Sequence, residues 1–277
     1  MAATDRTTGR IIAKLKRKVS VLSALTVVLA IALGVMTFLY VTKDGGEKGT
    51  DGSDSAPSSS NTATVSSEPT AEEKAAMALA ADLDNWNLRL VNGKNPLPSG
   101  FTVETEKIEA TYARDVGMLY DARAVSYLNA MCAAAERDGI NLLVISSFRT
   151  NERQTALYNN QVTKQKALHP ELSQEEINKL AGTISAYPGT SEHEVGLAVD
   201  FNSVEESFEN TAEFQWLKTN AADYGYVLRY AKEKQDITGV IYEPWHYRYV
   251  GEKHAKKINE LGYCLEEYIE YLNKITK

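Results

Sequence analysis

The chain has 277 residues, 43% of them hydrophobic, and a formal net charge of −7, enough for one ordinary domain with flanking segments. Residues 1–42 carry six basic and one acidic side chain, a balance of +5, which leaves −12 on residues 43–277. So acidic a body, without a basic-aromatic stripe, excludes a nucleic-acid-binding domain of the usual electrostatic kind.

Residues 1–19 form a basic head containing Arg6, Arg10, Lys14, Lys16, Arg17 and Lys18. An uncharged, mostly apolar run over residues 20–42 follows, long enough at ~1.5 Å per residue to cross a hydrocarbon core of about 30 Å. Basic residues ahead of it predict a single-pass membrane anchor with its N-terminus in the cytoplasm and the rest outside. The run exceeds the ~7–15 residues of a signal-peptide core, which favours an uncleaved anchor over a cleaved signal. Residues 43–68, rich in Gly, Ser, Thr and Asp, read as a disordered tether because they cannot bury enough apolar surface to offset ordering entropy. Residues 69–277 form the expected extracytoplasmic domain.

Within that domain a helix is expected from Thr70 to Leu83, favoured by Glu72 and Glu73 at its start, and a loop over Asn92 to Pro98. Asp121 to Asp138 has the 3.6-residue period and is closed by Gly139. Ile140 to Ser146 reads as a buried strand, followed by helices over Asn151 to Tyr158 and Ser173 to Ala181, the latter with Ser173 and Glu176 as a capping box. A short strand, Gly196 to Phe201, puts Ala198 and Asp200 on one face. A helix over Ala212 to Tyr224, a strand over Ile241 to Val250 and a last helix over Leu265 to Lys274 complete the set. The mixture lacks regular alternation, so the class is α+β: a small central antiparallel sheet carrying the site, flanked by helices. Cys132 and Cys264 fall at apolar helical positions and read as free buried thiols.

The chemistry concentrates in two segments. Ser191 to Asp200 supplies His193 and Asp200; Glu243-Pro244-Trp245-His246 supplies a second imidazole and a spare carboxylate. Two histidines and one acid suit a hydrolytic Zn2+ site that keeps a position open, with Glu243 as a base beside it. The seven-residue step from His193 to Asp200, interrupted by Gly196, is no helical ligand spacing and suits a loop entering a strand. Arg149, where a strand gives way to a helix, can offer a forked donor to a carboxylate or an oxyanion, or form a structural ion pair. Arg248 shares a strand face with His246 and is a candidate for a substrate carboxylate. His169 and His254, in a polar loop and a lysine-rich helix start, are expected to be solvated. No Ser is followed three residues later by Lys, so the serine acyl-enzyme signature is missing.

The pattern Ser-x-His-x-x-Gly-x-Ala-x-Asp followed by Glu-x-x-His resembles the zinc D-alanyl-D-alanine carboxypeptidases of the VanY type, in the wider group of lysostaphin-like peptidases and the Hedgehog domain. Trp86 to Asn92, Ser146 to Gln154, Pro188 to His193 and Glu243 to Gly251 also resemble that family, over roughly residues 83–271. The resemblance implies His193, Asp200 and His246 as zinc ligands, Glu243 as catalytic base and Arg149 on the scissile carbonyl. It also implies Ser191 and Gln154 beside the substrate. Glu194, where glutamine is common, and Ala231, where proline often stands, depart from the pattern. The activity implied is removal of the C-terminal D-alanine from peptidoglycan stem peptides. The alternatives are an L,D-carboxypeptidase, a D,D-dipeptidase or endopeptidase on the same wall peptides, and a non-catalytic zinc module that binds them. A spare base argues against the last.

Overall fold

The structure, a computed structural model, describes residues 69–276. The basic head, the apolar run and the tether lie outside them. Among the described residues no helix is long and apolar enough to cross a membrane.

Helix α1 (Ala71–Ala80) opens on a capping box in which Thr70 and Glu73 satisfy each other's backbone N–H. Strands β1 (Thr105–Lys107) and β2 (Leu119–Asp121) form a hairpin ahead of helix α2 (Val125–Arg137). The expected helix therefore starts four residues late, since Leu119 to Asp121 pair with β1 instead of joining it. Of the strand expected over Ile140 to Ser146, only β3 (Val144–Ser146) pairs. Helix α3 (Asn151–Leu168) runs ten residues past its expected end, because its second half is polar and shows little apolar period. Helix α4 (Gln174–Gly182) carries the expected Ser173–Glu176 box.

The single-turn helix α5 (Glu192–Val195) replaces the expected loop at His193. Strand β4 (Ala198–Phe201), helix α6 (Ala212–Asn220) with a 3-10 turn to Tyr224, strand β5 (Tyr226–Leu228) and short helix α7 (Gln235–Thr238) follow. Strand β6 spans only His246–Tyr249; Pro244, which cannot donate to a ladder, keeps Ile241 to Trp245 out of the sheet. Helices α8 (Glu252–Leu261) and α9 (Leu265–Ile275) end the described chain.

The four-stranded sheet has the order β3-β4-β6-β5, with every neighbouring pair antiparallel. One apolar cluster packs α2 against the sheet through Leu128, Met131, Val199, Phe201 and Tyr247; a second joins Ala80, Val250, Ile258, Tyr268 and Leu272. Each fully buried side chain of this kind stabilises the fold by about 1.5–3 kcal/mol. Cys132 and Cys264 are buried and unpaired, as expected.

Candidate active site

Strand register assembles the centre. Asp200 on β4 lies directly opposite His246 on β6, and Ser146 on β3 faces Asp200 from the other side. Opposed residues of an antiparallel pair share a face, with Cβ atoms about 4.5–5.5 Å apart. The single turn α5 then brings in His193. Ser191 caps that turn through the His193 N–H, and Glu194 accepts from the Ser191 N–H. Gly196 closes it at φ +79°, where a Cβ would meet the Asp121 backbone N at 3.2 Å. Glycine is the residue that tolerates both constraints.

Asp200 is the hub. Its Oδ1 lies 3.0 Å from His246 Nδ1 and its Oδ2 3.3 Å from His193 Nε2. One ligand atom from each of the three residues lies within 4.8 Å of the others, and all three side chains are buried. Tetrahedral ligands ~2.0–2.1 Å from a zinc ion are about 3.3–3.4 Å apart, close to the 3.0 and 3.3 Å from Asp200 to the two imidazoles, so the residues fit the metal. The outer face of each imidazole also meets a partner. His193 Nδ1 donates to Ser147 O at 2.8 Å, leaving Nε2 for the centre. His246 Nε2 faces Glu192 Oε2 at 3.5 Å, leaving Nδ1 for the centre. Outer partners of this kind set the tautomer and orientation of a metal-binding histidine.

Buried charges tune the groups. Burial penalises the Glu192 carboxylate, but Arg229 and Arg248 outweigh that and hold it well below the usual range. Arg229 Nε and Arg248 Nη1 both donate to Glu192 Oε1, at 2.7 and 2.9 Å, and Arg229 forks onto Glu266 of α9. Burial, together with Arg149, pushes His193 down to about 4. Burial also opposes the His246 imidazolium, yet Asp200 and Glu192 win and lift it to about 9. Glu243 is pushed up to about 8, chiefly by burial, although His246 and Arg149 pull the other way.

A cavity of about 410 Å³ opens onto this centre, lined by Arg149, Ser191, His193, Asp200, Tyr230, Glu243, Trp245 and His246 among others. Glu243 Oε2 lies 3.7 Å from His246 Nδ1. Arg149 donates through Nη2 to Asp200 Oδ2 at 3.0 Å and to Ser146 Oγ at 2.7 Å, and through Nη1 to Gln154 Oε1. Its guanidinium still borders the cavity, the side chain being 20% exposed. The arrangement provides a metal-competent face, a carboxyl raised toward neutral pH, and a fixed cation on one wall. That is the equipment of a metal-assisted hydrolase.

The description D-alanyl-D-alanine carboxypeptidase, VanY, matches residues 118–252. A D-alanyl-D-alanine carboxypeptidase of Enterococcus faecalis is 40% identical over 188 residues, covering 68% of this chain and 67% of that protein. The crystal structure of a mutant vancomycin-resistance D,D-pentapeptidase VanY with Zn(II) is 40% identical, with TM-score 0.58 over 67% of this chain and 99% of that one. The chain belongs to the VanY family of D-alanyl-D-alanine carboxypeptidases. VanYB in complex with D-alanine-D-alanine is similarly close, at 39% identity and TM-score 0.59 over 67% of this chain and 98% of that one.

Against that family pattern, several sequence expectations need correction. Arg248 is fully buried under the site: its guanidinium serves Glu192, the Tyr249 carbonyl and the Asn87 and Arg89 carbonyls, so it cannot meet substrate. Gln154 is also fully buried; it orients Arg149 and ties down the Ala186 carbonyl rather than lining the cavity. Ser191 does line it. His254 is 1% exposed, held by the Tyr268 hydroxyl at 2.9 Å and Asp82 at 3.4 Å, while His169 is partly exposed as expected. Glu194 accepts from Gly189 N, Ser191 N and Asn151 Nδ2, bonds that bind the 189–194 loop together.

Glu192 is the residue that reasoning from the sequence missed. It stands between Ser191 and His193 in the recognised segment, but its partner Arg248 arrives on strand β6 and Arg229 just past the end of β5, beyond the reach of any local pattern.

Proposed function

We propose that His193, Asp200 and His246 hold one zinc ion and that the domain removes the C-terminal D-alanine from peptidoglycan stem peptides. The observation that carries this is the buried His-Asp-His cluster with Glu243 beside it, in a chain of the VanY family. Zinc supplies Lewis acidity, which acidifies water and polarises a carbonyl.

The chain's own residues do the rest. Glu243, placed beside the cluster, takes a proton from the attacking water and passes it to the departing amine. Arg149, fixed by Ser146, Asp200 and Gln154, donates to the scissile carbonyl oxygen as negative charge grows there. Ser191 and the apolar walls of Tyr230 and Trp245 border the space for the terminal D-alanine. With Arg248 buried, Ser191 and backbone amides remain of the groups considered from the sequence for its carboxylate. The test is release of D-alanine from a pentapeptide ending in D-Ala-D-Ala, whose C-terminal amide should stay intact. Equal cleavage of the amide would make the enzyme an endopeptidase, and cleavage of the tetrapeptide alone an L,D-carboxypeptidase.

Glu192 acts through His246. Glu192→Gln is expected to weaken zinc binding by roughly 10–100-fold, measured as the zinc Kd against a chromophoric chelator. An unchanged Kd would reduce Glu192 to a counter-charge for Arg229 and Arg248.

The anchor is likewise proposed from residues 1–42, whose basic head and apolar run support a domain tethered outside the cell membrane. Protease added to intact protoplasts should then degrade the domain; recovery of a soluble form starting between residues 30 and 60 would favour a cleaved signal.

A further inference from the structure

The centre is the junction of two lobes. Beside the 410 Å³ cavity, a second of about 600 Å³ is lined by Arg114, Asp115, Arg149, Arg153, Leu157 and Asp200, among others. Arg149, Leu157, Asp200 and Val204 border both lobes. One wall of the whole cleft is a single face of helix α3. Arg153 lines the second lobe, Leu157 both, and Gln161 and Lys164 the first. Steps of four, four and three residues keep these side chains on one stripe. From Arg153 to Lys164 the stripe is about 16–17 Å long, the span of roughly five extended residues.

Charge is distributed unequally along it. In the second lobe Arg114 is paired with Asp115 at 2.9 Å and Arg149 with Asp200 at 3.0 Å. These pairs leave Arg153 as the excess charge. It is exposed, and its guanidinium has no hydrogen-bond or ion-pair partner among the described residues. Lys164 is also unpaired among the described residues, but its lobe contains Glu205 and Glu243. That first lobe, walled by Ile184, Tyr230, Ile241 and Trp245, has the apolar surface a D-alanine methyl group needs. The longer part of a stem peptide then leaves through the second lobe, past Arg153.

We propose that Arg153 binds a carboxylate carried by the stem peptide upstream of the scissile bond, and that the α3 stripe is the wall along which the peptide lies. This rests on the cleft being a stem-peptide site. Arg153 stands four residues, about 6 Å along the helix, from Leu157 at the junction. That offset is about two extended residues, within side-chain reach of the third or second residue of the stem. The carboxylate has two chemical sources: the free α-carboxyl of a γ-linked D-glutamate, or the extra carboxyl that distinguishes diaminopimelate from lysine. A guanidinium fork suits either.

The experiment uses the full chain, zinc-loaded, with four pentapeptides ending in D-Ala-D-Ala. They combine glutamate or its α-amide at position two with lysine or diaminopimelate at position three. D-alanine release gives kcat/KM for each. At one of the two positions the carboxylate form is expected to be cut about tenfold more efficiently than its uncharged counterpart, which also identifies the source. Arg153→Gln should bring that ratio to parity, whereas Lys164→Gln should leave it unchanged. Thr150 accepts from the backbone N–H of Arg153, a bond the substitution keeps, so unfolding midpoints should coincide. Parity across all four peptides in the unaltered protein overturns the proposal and leaves the peptidase standing. So does a preference that survives Arg153→Gln, or one that falls equally in Lys164→Gln, the mark of diffuse electrostatics. No release from any of the four overturns the peptidase itself.

Discussion

Glu243→Gln should lower kcat by roughly 10²–10⁴-fold while zinc content stays at one per chain. The amide keeps the shape of the carboxyl but cannot accept a proton from water or return it to the amine. Glu243 lies 3.7 Å from His246 Nδ1, beside the His-Asp-His cluster rather than within it. Its loss should therefore spare the metal. Elemental analysis and single-turnover kinetics on one preparation separate the two effects. Near-normal kcat would move proton transfer to another group, and loss of zinc would make Glu243 a ligand.

The second large effect is expected at Arg149. Removing one oxyanion donor commonly costs about 2.7–4 kcal/mol of barrier, or roughly 10²–10³ in kcat. Arg149→Lys keeps the charge but not the fork that spans Ser146, Gln154 and Asp200. It should therefore lose most of that factor, with a smaller change in KM. A loss below about tenfold would show that a point charge suffices and that the fork is structural.

Much of the centre was legible because its residues are chemically rare in this chain. Four histidines stand in 277 residues, and two of them occur in short segments rich in carboxylates. Alternation along β4 placed Asp200, and the register with β6 then set it opposite His246. The tertiary partners were not legible. Arg248 shares a face with His246, as its spacing said, but that face turns inward at Arg248, where Asn87, Arg89 and Glu192 enclose it. His254 sits among lysines in sequence and yet packs under Tyr268. Helical periodicity failed in the second half of α3 because the side chain buried there is the polar Gln165 and the rest are exposed or half-buried. The β1–β2 hairpin escaped notice because its strands are three residues each, too short for alternation to register. Local patterns carry the histidines and carboxylates of a buried site and lose the groups that distant strands bring to it.

The most direct test couples metal to chemistry in a single titration. The protein is stripped with a chelator and returned to a pentapeptide ending in D-Ala-D-Ala, and free D-alanine is measured as zinc is added. Release should be absent without metal, rise linearly and saturate at one zinc per chain. A His193→Ala, His246→Ala double variant should show neither tight zinc binding nor release. Full D-alanine release by the stripped protein, or full zinc occupancy in the double variant, would contradict a carboxypeptidase centred on His193, Asp200 and His246.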